Sequence, residues 1–326
     1  MRTVVGVLRG GPSSEYDVSL KSGANVLNAL DRDTFDPRDI FIDRAGAWHQ
    51  HGVAVTPEQA LRGVDVAVNV IHGEYGEDGE LHQILDPLAV PYTGSSSAVS
   101  KLVFNKHLTN EAVRKLGFKV PHGVVVKYPS IGAEGLEELA RRLFTRFPQP
   151  SIIKPITGGS SVGMTVVEDF HTLLGGLELA FNYSPHVLVE EYIRGREAAV
   201  GVIDNFRGEK TYALMPVEIV PPPHHKFFSY EAKYSGETLK RVPGHFTDTQ
   251  KQELANIAKA VHENLELGHY SRSDFIVSRR GVYFLEVNNA AGVGMTEDSL
   301  VPKALSAVGS KLSEFMEHII GLARKR

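Results

Sequence analysis

Asp274, Glu286 and Asn288 fall in the stretch RSDFIVSRRGVYFLEVNN, residues 272–289, where two apolar runs flank Arg279-Arg280-Gly281. A three-residue hairpin loop with glycine in the left-handed position sets Asp274 opposite Glu286. In that register Phe275 faces Leu285 and Val277 faces Tyr283. Strand side chains alternate with period two, so Asp274, Glu286 and Asn288 share the other face. Two carboxylates and an amide oxygen are a donor set suited to Mg²⁺, which binds through a few carboxylates plus substrate phosphates. The bland alternative is a hydrated sheet face with scattered acids. It is disfavoured because Ile276 and Phe284 fall on that same face, and apolar neighbours make unpaired carboxylates costly.

A second group of residues follows Lys154, in PITGGSSVGM, residues 155–164. This is neither a Walker A loop, lacking Gly-Lys-Ser/Thr, nor the Gly-x-Gly-x-x-Gly of a dinucleotide fold. Its glycines allow positive φ and close backbone approach, so N–H groups around Gly159, Ser160 and Ser161 can converge on an anion, with two hydroxyls adding donors. Lys154 supplies a compact cation beside them. A plain hairpin turn is the commoner explanation of a glycine run. Four donors next to a lysine favour a phosphate loop.

Other stretches are less specific. Glu190, Glu191 and Glu197 flank a strand-like run and the Ile193-Arg194-Gly195 turn; they would suit an adenine amine and ribose hydroxyls, or be merely solvated. Glu15 enters a helix, where it would hold a substrate ammonium or complement the helix dipole. His72 opens a polar loop, HGEYGEDG, at a strand end. Residues 221–236 form a long segment crowded with Phe227, Phe228, Tyr230 and Tyr234, which reads as a lid rather than a disordered loop. His224-His225 lack a third ligand nearby and read as loop residues.

Several layers of structure are needed to position these groups. At 326 residues the chain exceeds what one hydrophobic core usually supports, so two or three domains are expected. Apolar content of 42% and charged content of 23% are those of an ordinary globular protein, which leaves disorder only a local role. A net charge of −4 gives no global pull toward nucleic acid or an anionic membrane, and the basic Arg324-Lys325-Arg326 reads as a solvated helix end. The absence of cysteine excludes disulfides, thiolate nucleophiles and Cys-ligated zinc. The opening apolar run is too short for a signal peptide, and no later segment approaches the roughly 20 apolar residues of a membrane span, so a cytoplasmic protein is expected.

Residues 3–8 read as a strand, Gly10-Gly11-Pro12-Ser13-Ser14 as a loop, and Leu20, Ala24, Leu27 and Leu30 as the stripe of a helix. Apolar runs at 40–42 and 64–71 continue an open α/β sheet, whose ligands would sit at the carboxyl ends of its strands. This gives an N-terminal α/β domain over residues 1–100. A helix over 102–116 then stops at Gly117. The central domain, 101–188, reads strand 123–126, helix 136–147, strand 151–154, the glycine loop, strand 164–167, helix 170–180 and strand 187–190. Residues 189–326 form the third domain, without internal repeats.

Taken together and in order, GGPSSEYDVSL, HGEYGEDGEL, PYTGSS, Lys154-Pro155 with GGSSVGM, EAKY, RSDF, LEVNN and GMTEDSLVP resemble the D-alanine–D-alanine ligases of the ATP-grasp superfamily over nearly the whole chain. The resemblance implies a mixed α/β (α+β), three-domain ATP-grasp fold, with ATP between the central and C-terminal domains. It implies that Lys106 and Lys154 contact phosphates, that residues 158–163 with Gly159, Ser160 and Ser161 close over them, and that Lys233 reaches the transferred phosphate. Glu190, Glu191 and Ile193 would hold the adenine, and Glu197 the ribose. Asp274, Glu286 and Asn288 would hold two Mg²⁺ ions, with Mn²⁺ as a substitute. Glu15 would hold the first substrate's ammonium and connect through Ser160 to Tyr234, with His72 in the same site. Arg272 and the N–H of Gly294 would stabilise the oxyanion, and Ser299 and Leu300 would receive the second substrate's carboxylate. The activity implied is ATP-dependent joining of two D-alanines through an acyl phosphate for peptidoglycan precursors, in a cytoplasmic homodimer with no nucleic-acid or membrane partner.

One departure stands out. The family pattern is Asn-Thr-x-Pro-Gly-Met/Phe-Thr, whereas residues 288–296 read NNAAGVGMT, longer and without proline. This leaves open whether Gly292 or Gly294 faces the oxyanion, and it admits a different second substrate, another D-amino acid or a D-hydroxy acid. Tyr234 matches the dipeptide-forming type. A non-catalytic ATP-binding module is the remaining alternative, against which the full set of lysines and metal donors speaks.

Overall fold

The computed structural model describes residues 2–130, 133–159, 161–222 and 238–325. Three sheets carry the architecture. The first contains β1 (Thr3–Gly10), β2 (Phe35–Ile42), β3 (Trp48–Gln50), β4 (Val53–Val55) and β5 (Val66–Asn69), in the order β4-β3-β2-β1-β5. β1 lies parallel to both β2 and β5, and α1 (Tyr16–Ala29) makes the β1-to-β2 crossover. As expected for an open α/β sheet, the loop after β1 and the loop after β5 meet at the carboxyl ends of adjacent strands. Ser13 Oγ donates to the His72 carbonyl at 2.5 Å and ties the two loops together.

The second sheet is antiparallel, ordered β6-β9-β7-β8, from β6 (Gly123–Lys127), β7 (Ser151–Pro155), β8 (Thr165–Val167) and β9 (His186–Glu191). α6 (Ala133–Arg146) and α7 (Phe170–Phe181) cover one face, burying Leu143, Leu173 and Leu177 against Ile153, Val187 and Val189. α7 starts with a capping box: Asp169 Oδ1 accepts from Thr172 N at 2.8 Å while the Asp169 N–H donates to the Thr172 hydroxyl oxygen at 3.1 Å. The glycine loop is the β7–β8 connection. It is therefore a hairpin loop, and it lines both pockets described below.

The third sheet runs β13-β12-β10-β14-β15, with β11 paired to the far half of β10. Its strands are β10 (Arg196–Phe206), β11 (Glu209–Ala213), β12 (Val217–Val220), β13 (Leu239–Arg241), β14 (Tyr270–Ser278) and β15 (Gly281–Asn288). α8 (Asp248–Asn264) packs Leu254, Ala258 and Val261 on one face with Phe275 and Phe284. On the other side α9 (Leu300–Ala307) and α10 (Leu312–Ala323) share a core with Val5, Val7, Val66 and Val68 of the first sheet. The first and third sheets are thus joined through one continuous hydrophobic cluster. The second sheet has its own.

The short α2 (Pro57–Ala60) and α3 (Glu80–Leu85) complete the first layer. No helix of the described residues is long and apolar enough to cross a membrane.

Two expectations are corrected. The helix expected over 102–116 is two helices, α4 (Ser97–Phe104) and α5 (Lys106–Lys115), broken at Asn105. Asn105 leaves the helical region at φ −91°, ψ 105°, and its side chain accepts from Leu108 N at 3.1 Å. Asparagine is among the best N-cap residues, so a new helix starts there. The β14–β15 hairpin has a two-residue turn, Arg279-Arg280, with Ser278 opposite Gly281. A register shift between Asp274 and Phe275 then restores Asp274 opposite Glu286, while Phe275 faces Phe284, Ile276 faces Tyr283 and Val277 faces Val282. The bulge moves Phe284 off the carboxylate face into the core, edge-on to Phe275 with ring centroids 5.9 Å apart.

Candidate functional site

Two cavities lie side by side where the three sheets converge. One, of about 420 Å³, opens between the second and third sheets; the other, of about 150 Å³, lies between the third sheet and the loops of the first. Lys106, Gly158, Gly159 and Glu286 line both. The larger volume suits a nucleotide and the smaller suits amino acids.

In the larger cleft, β7 and β9 place Lys154 and Glu190 together. Lys154 Nζ lies 2.5 Å from Glu190 Oε2, and Asn110 Nδ2 donates to Glu190 Oε1 at 2.7 Å. Both charges are nearly buried, so the pair holds only because each desolvated group is met by the other. Glu191 accepts from the His122 N–H at 3.1 Å and from Arg280 Nη2 at 3.1 Å. Ile193 packs with Ile276, Tyr283 and Leu285, an apolar wall of the kind a flat ring occupies. Glu197 lines the same cleft.

The glycine loop bends over the boundary between the cavities. Gly158 (φ +104°), Ser161 (φ +60°) and Gly163 (φ +70°) take left-handed backbone, as the sequence leads one to expect of a loop whose amides converge. The Gly158 carbonyl accepts from Lys106 Nζ. A Cβ on Gly159 would lie 2.3 Å from Glu15 Oε2, so the loop touches the smaller pocket here and a side chain would have to displace the Glu15 carboxylate.

Across the cleft, Asp274 and Glu286 are directly opposed and Asn288 faces Arg272. Arg272 makes a two-pronged pair with Asp274, Nε to Oδ1 and Nη2 to Oδ2, both at 2.8 Å. Burial works against the Arg272 charge, but Asp274, Glu286 and Glu77 more than compensate and hold its pKa above the usual value. Asn288 Nδ2 donates to Asp274 Oδ2 at 3.4 Å, and Lys106 Nζ stands 3.8 Å from Glu286 Oε2. Two carboxylates and an amide oxygen on adjoining strands fit a hard divalent cation that shares phosphate ligands.

The smaller pocket gathers Glu15, His72, Arg272, Gly294, Ser299 and Leu300. His72 is buried, which lowers its pKa, with Glu15 pulling upward and Arg272 adding to the fall. Its Nε2 sits 3.1 Å from Ser22 Oγ, which also accepts from Met295 N at 3.3 Å. The Gly292 N–H is engaged by Asn289, at 3.0 Å to its carbonyl and 3.4 Å to its Oδ1. Among the described residues the Gly294 N–H has no such engagement. Ser299 Oγ bonds Thr296, 3.2 Å from its N–H and 2.8 Å from its hydroxyl, rather than capping α9. Ser160, Lys233 and Tyr234 lie outside the described residues.

Several lining residues escaped the sequence reading, among them four charged ones. Glu77 is buried beneath Gly292, accepts from Gly73 N at 2.7 Å, and is pushed up to about 8 by burial and by Glu15, against Gly73, Lys106 and Arg272. Glu218 and Arg241 pair at 2.9 Å in the larger cleft. Burial opposes the Glu218 charge, yet bonds from the His245 N–H and Arg241 hold its pKa below normal. Lys240 lines the smaller pocket. Only the acid-rich HGEYGEDG loop offered any signal, for Glu77.

A glycine loop over paired carboxylates, between two antiparallel sheets, defines an ATP-grasp fold. Models of the C-terminal and N-terminal domains of D-ala D-ala ligase match residues 112–321 and 4–60. D-alanine–D-alanine ligases of Pelotomaculum thermopropionicum and Geobacter sulfurreducens are 33% and 35% identical, covering 99% and 98% of this chain and 97% and 93% of theirs. The VanG D-Ala:D-Ser ligase of Enterococcus faecalis superposes with a TM-score of 0.83 at 26% identity, covering 99% of this chain and all of that one. The chain belongs to the D-alanine–D-alanine ligase family.

Proposed function

We propose that the protein is an ATP-dependent ligase that joins two D-alanines to supply peptidoglycan precursor, working in the cytoplasm as a homodimer. The observation that carries this reading is the shared wall: Lys106, Gly158, Gly159 and Glu286 line both cavities, so a phosphate in one reaches a carboxylate in the other. The same reading divides the chain near residues 100 and 188 into three domains, and the change of sheet between Glu191 and Arg196 supports the second division.

A carboxylate is a poor electrophile, and transferring the γ-phosphoryl group to its oxygen creates an acyl phosphate with a good leaving group. Lys106 and Lys154 neutralise phosphate charge, Ile193 and Leu285 flank the adenine, and Glu190, Glu191 and Glu197 take polar contacts of the adenosine. Asp274, Glu286 and Asn288 would hold Mg²⁺, which when bound supplies charge neutralisation on the phosphoryl oxygens. Glu15 and His72 orient the first D-alanine. The second amine then attacks the acyl carbon, phosphate leaves, and the amine sheds a proton. Arg272 and the Gly294 N–H meet the oxygen that gains charge, a contribution of roughly 3–4 kcal/mol per well-placed donor. Among the described residues the Gly294 N–H has no partner while the Gly292 N–H is held by Asn289, which favours Gly294 for this role. Ser160, Lys233 and Tyr234 belong to the same proposal, Ser160 with Ser161 and Gly159 in loop closure.

The test is ADP and dipeptide formation from ATP and D-alanine, followed by mass spectrometry. ATP turnover indifferent to D-alanine overturns the substrate assignment. A second reading, a different second substrate, is favoured by the longer loop at 288–296, and a panel of D-amino and D-hydroxy acids separates the two. Sedimentation tests the dimer.

A further inference from the structure

β13 is only three residues long, and it separates two cations. Arg241 lines the nucleotide cleft, where it is paired with Glu218, whereas Lys240 lines the smaller pocket with Arg272, Gly294, Ser299 and Leu300. Neighbouring strand residues point to opposite faces, so this split follows from the strand itself. The other two cations of the smaller pocket already face acids: Arg272 grips Asp274, and Lys106 stands by Glu286. Lys240 differs. Its Nζ donates to a neutral acceptor, the Asp298 carbonyl, at 2.7 Å, while the Asp298 carboxylate is taken by Lys303 at 3.1 Å.

That carbonyl belongs to the residue before Ser299, the N-cap of α9. The ammonium is therefore held at the end of the pocket where the backbone of α9 begins. Two further cations bear on this ammonium. Burial lowers the Lys240 pKa, Asp298 opposes this, and Lys303 and Arg272 add to it. A half-buried ammonium crowded by two other cations gains most from a carboxylate that enters with the substrate.

We propose that Lys240 is a specificity-determining residue of the second-substrate site, its ammonium binding the α-carboxylate of the incoming amino acid alongside Ser299. This rests on the ligase reading above. An acceptor without that carboxylate leaves the ammonium half-buried and unmatched, so the site rejects it.

The experiment compares D-alanine with D-alaninamide as second substrate, in the parent enzyme, Lys240→Gln and Lys240→Arg, with ATP and the first site saturated. Because the readout is a ratio for two acceptors on one preparation, partly unfolded protein cancels. In Lys240→Gln the acceptor KM for D-alanine rises about tenfold, the preference for D-alanine over its amide falls by a similar factor, and the KM for ATP is unchanged. Lys240→Arg recovers most of the preference. An unchanged preference, or equal losses for both acceptors, overturns the proposal. If the parent does not use D-alanine, that assignment fails by itself, and the comparison is made with the amino acid that the panel shows to be consumed and its carboxamide.

Discussion

Gly159 and Glu15 touch across the boundary between the two cavities: a Cβ on the glycine would stand 2.3 Å from a Glu15 carboxylate oxygen. The glycine loop and Glu15, which is proposed to orient the first substrate, are therefore in van der Waals contact. Gly159→Ala must move one of them. Displacing a reacting group by about 1 Å typically costs about 100-fold in rate. We expect kcat to fall by that order with the melting temperature within a degree or two of the parent. Steady-state kinetics beside a thermal melt check both halves.

Glu190→Ala is expected to act on stability. It leaves Lys154 buried without its carboxylate, and Asn110 without its acceptor. Removing one partner of a buried pair typically destabilises by ~3–5 kcal/mol. Urea unfolding should show a lower midpoint with little change in slope. A loss under 1 kcal/mol would show that solvent reaches Lys154.

Glu77 predicts a pH dependence. Its carboxyl is raised from an ordinary value near 4.5 to about 8, so the folded protein holds a proton that the unfolded chain has released. Stability from this group is fully present below about pH 4.5 and is lost as pH rises through 8. The limiting slope is about −1.4 kcal/mol per pH unit. Glu77→Gln, which cannot ionise, should flatten the pH 5–8 part of the stability curve and be more stable than the parent at pH 8. Parallel curves for the two proteins would mean that Glu77 is ionised when folded.

Loss of a proposed metal donor should separate chemistry from folding. Glu286→Gln keeps the shape but removes a charge opposite Asp274. ADP formation should drop about 100-fold or more, in line with losing several kcal/mol of charge stabilisation. Chelation of the parent should abolish turnover, and Mg²⁺ should restore it. Activity that survives chelation would exclude the metal role of this trio.

The strands, the glycine loop and the opposition of Asp274 to Glu286 were legible because alternation and turn residues are local properties. The route to that opposition was not. A β-bulge depends on how Phe284 packs against Phe275, and nothing in the hairpin's own alternation reveals it. Asn105 could have been read as a cap, since it precedes Lys106 and accepts from Leu108, but the apolar pattern on either side hides the break. Glu77, Lys240, Glu218 and Arg241 owe their significance to partners more than 20 residues away or to burial. Such properties appear only once the sheets are assembled.

The first and third sheets share one apolar cluster, while the second sheet and its two helices close on their own. Admitting a nucleotide therefore needs no break in the main core. The larger cleft thus follows a seam between separately packed cores rather than cutting through one of them.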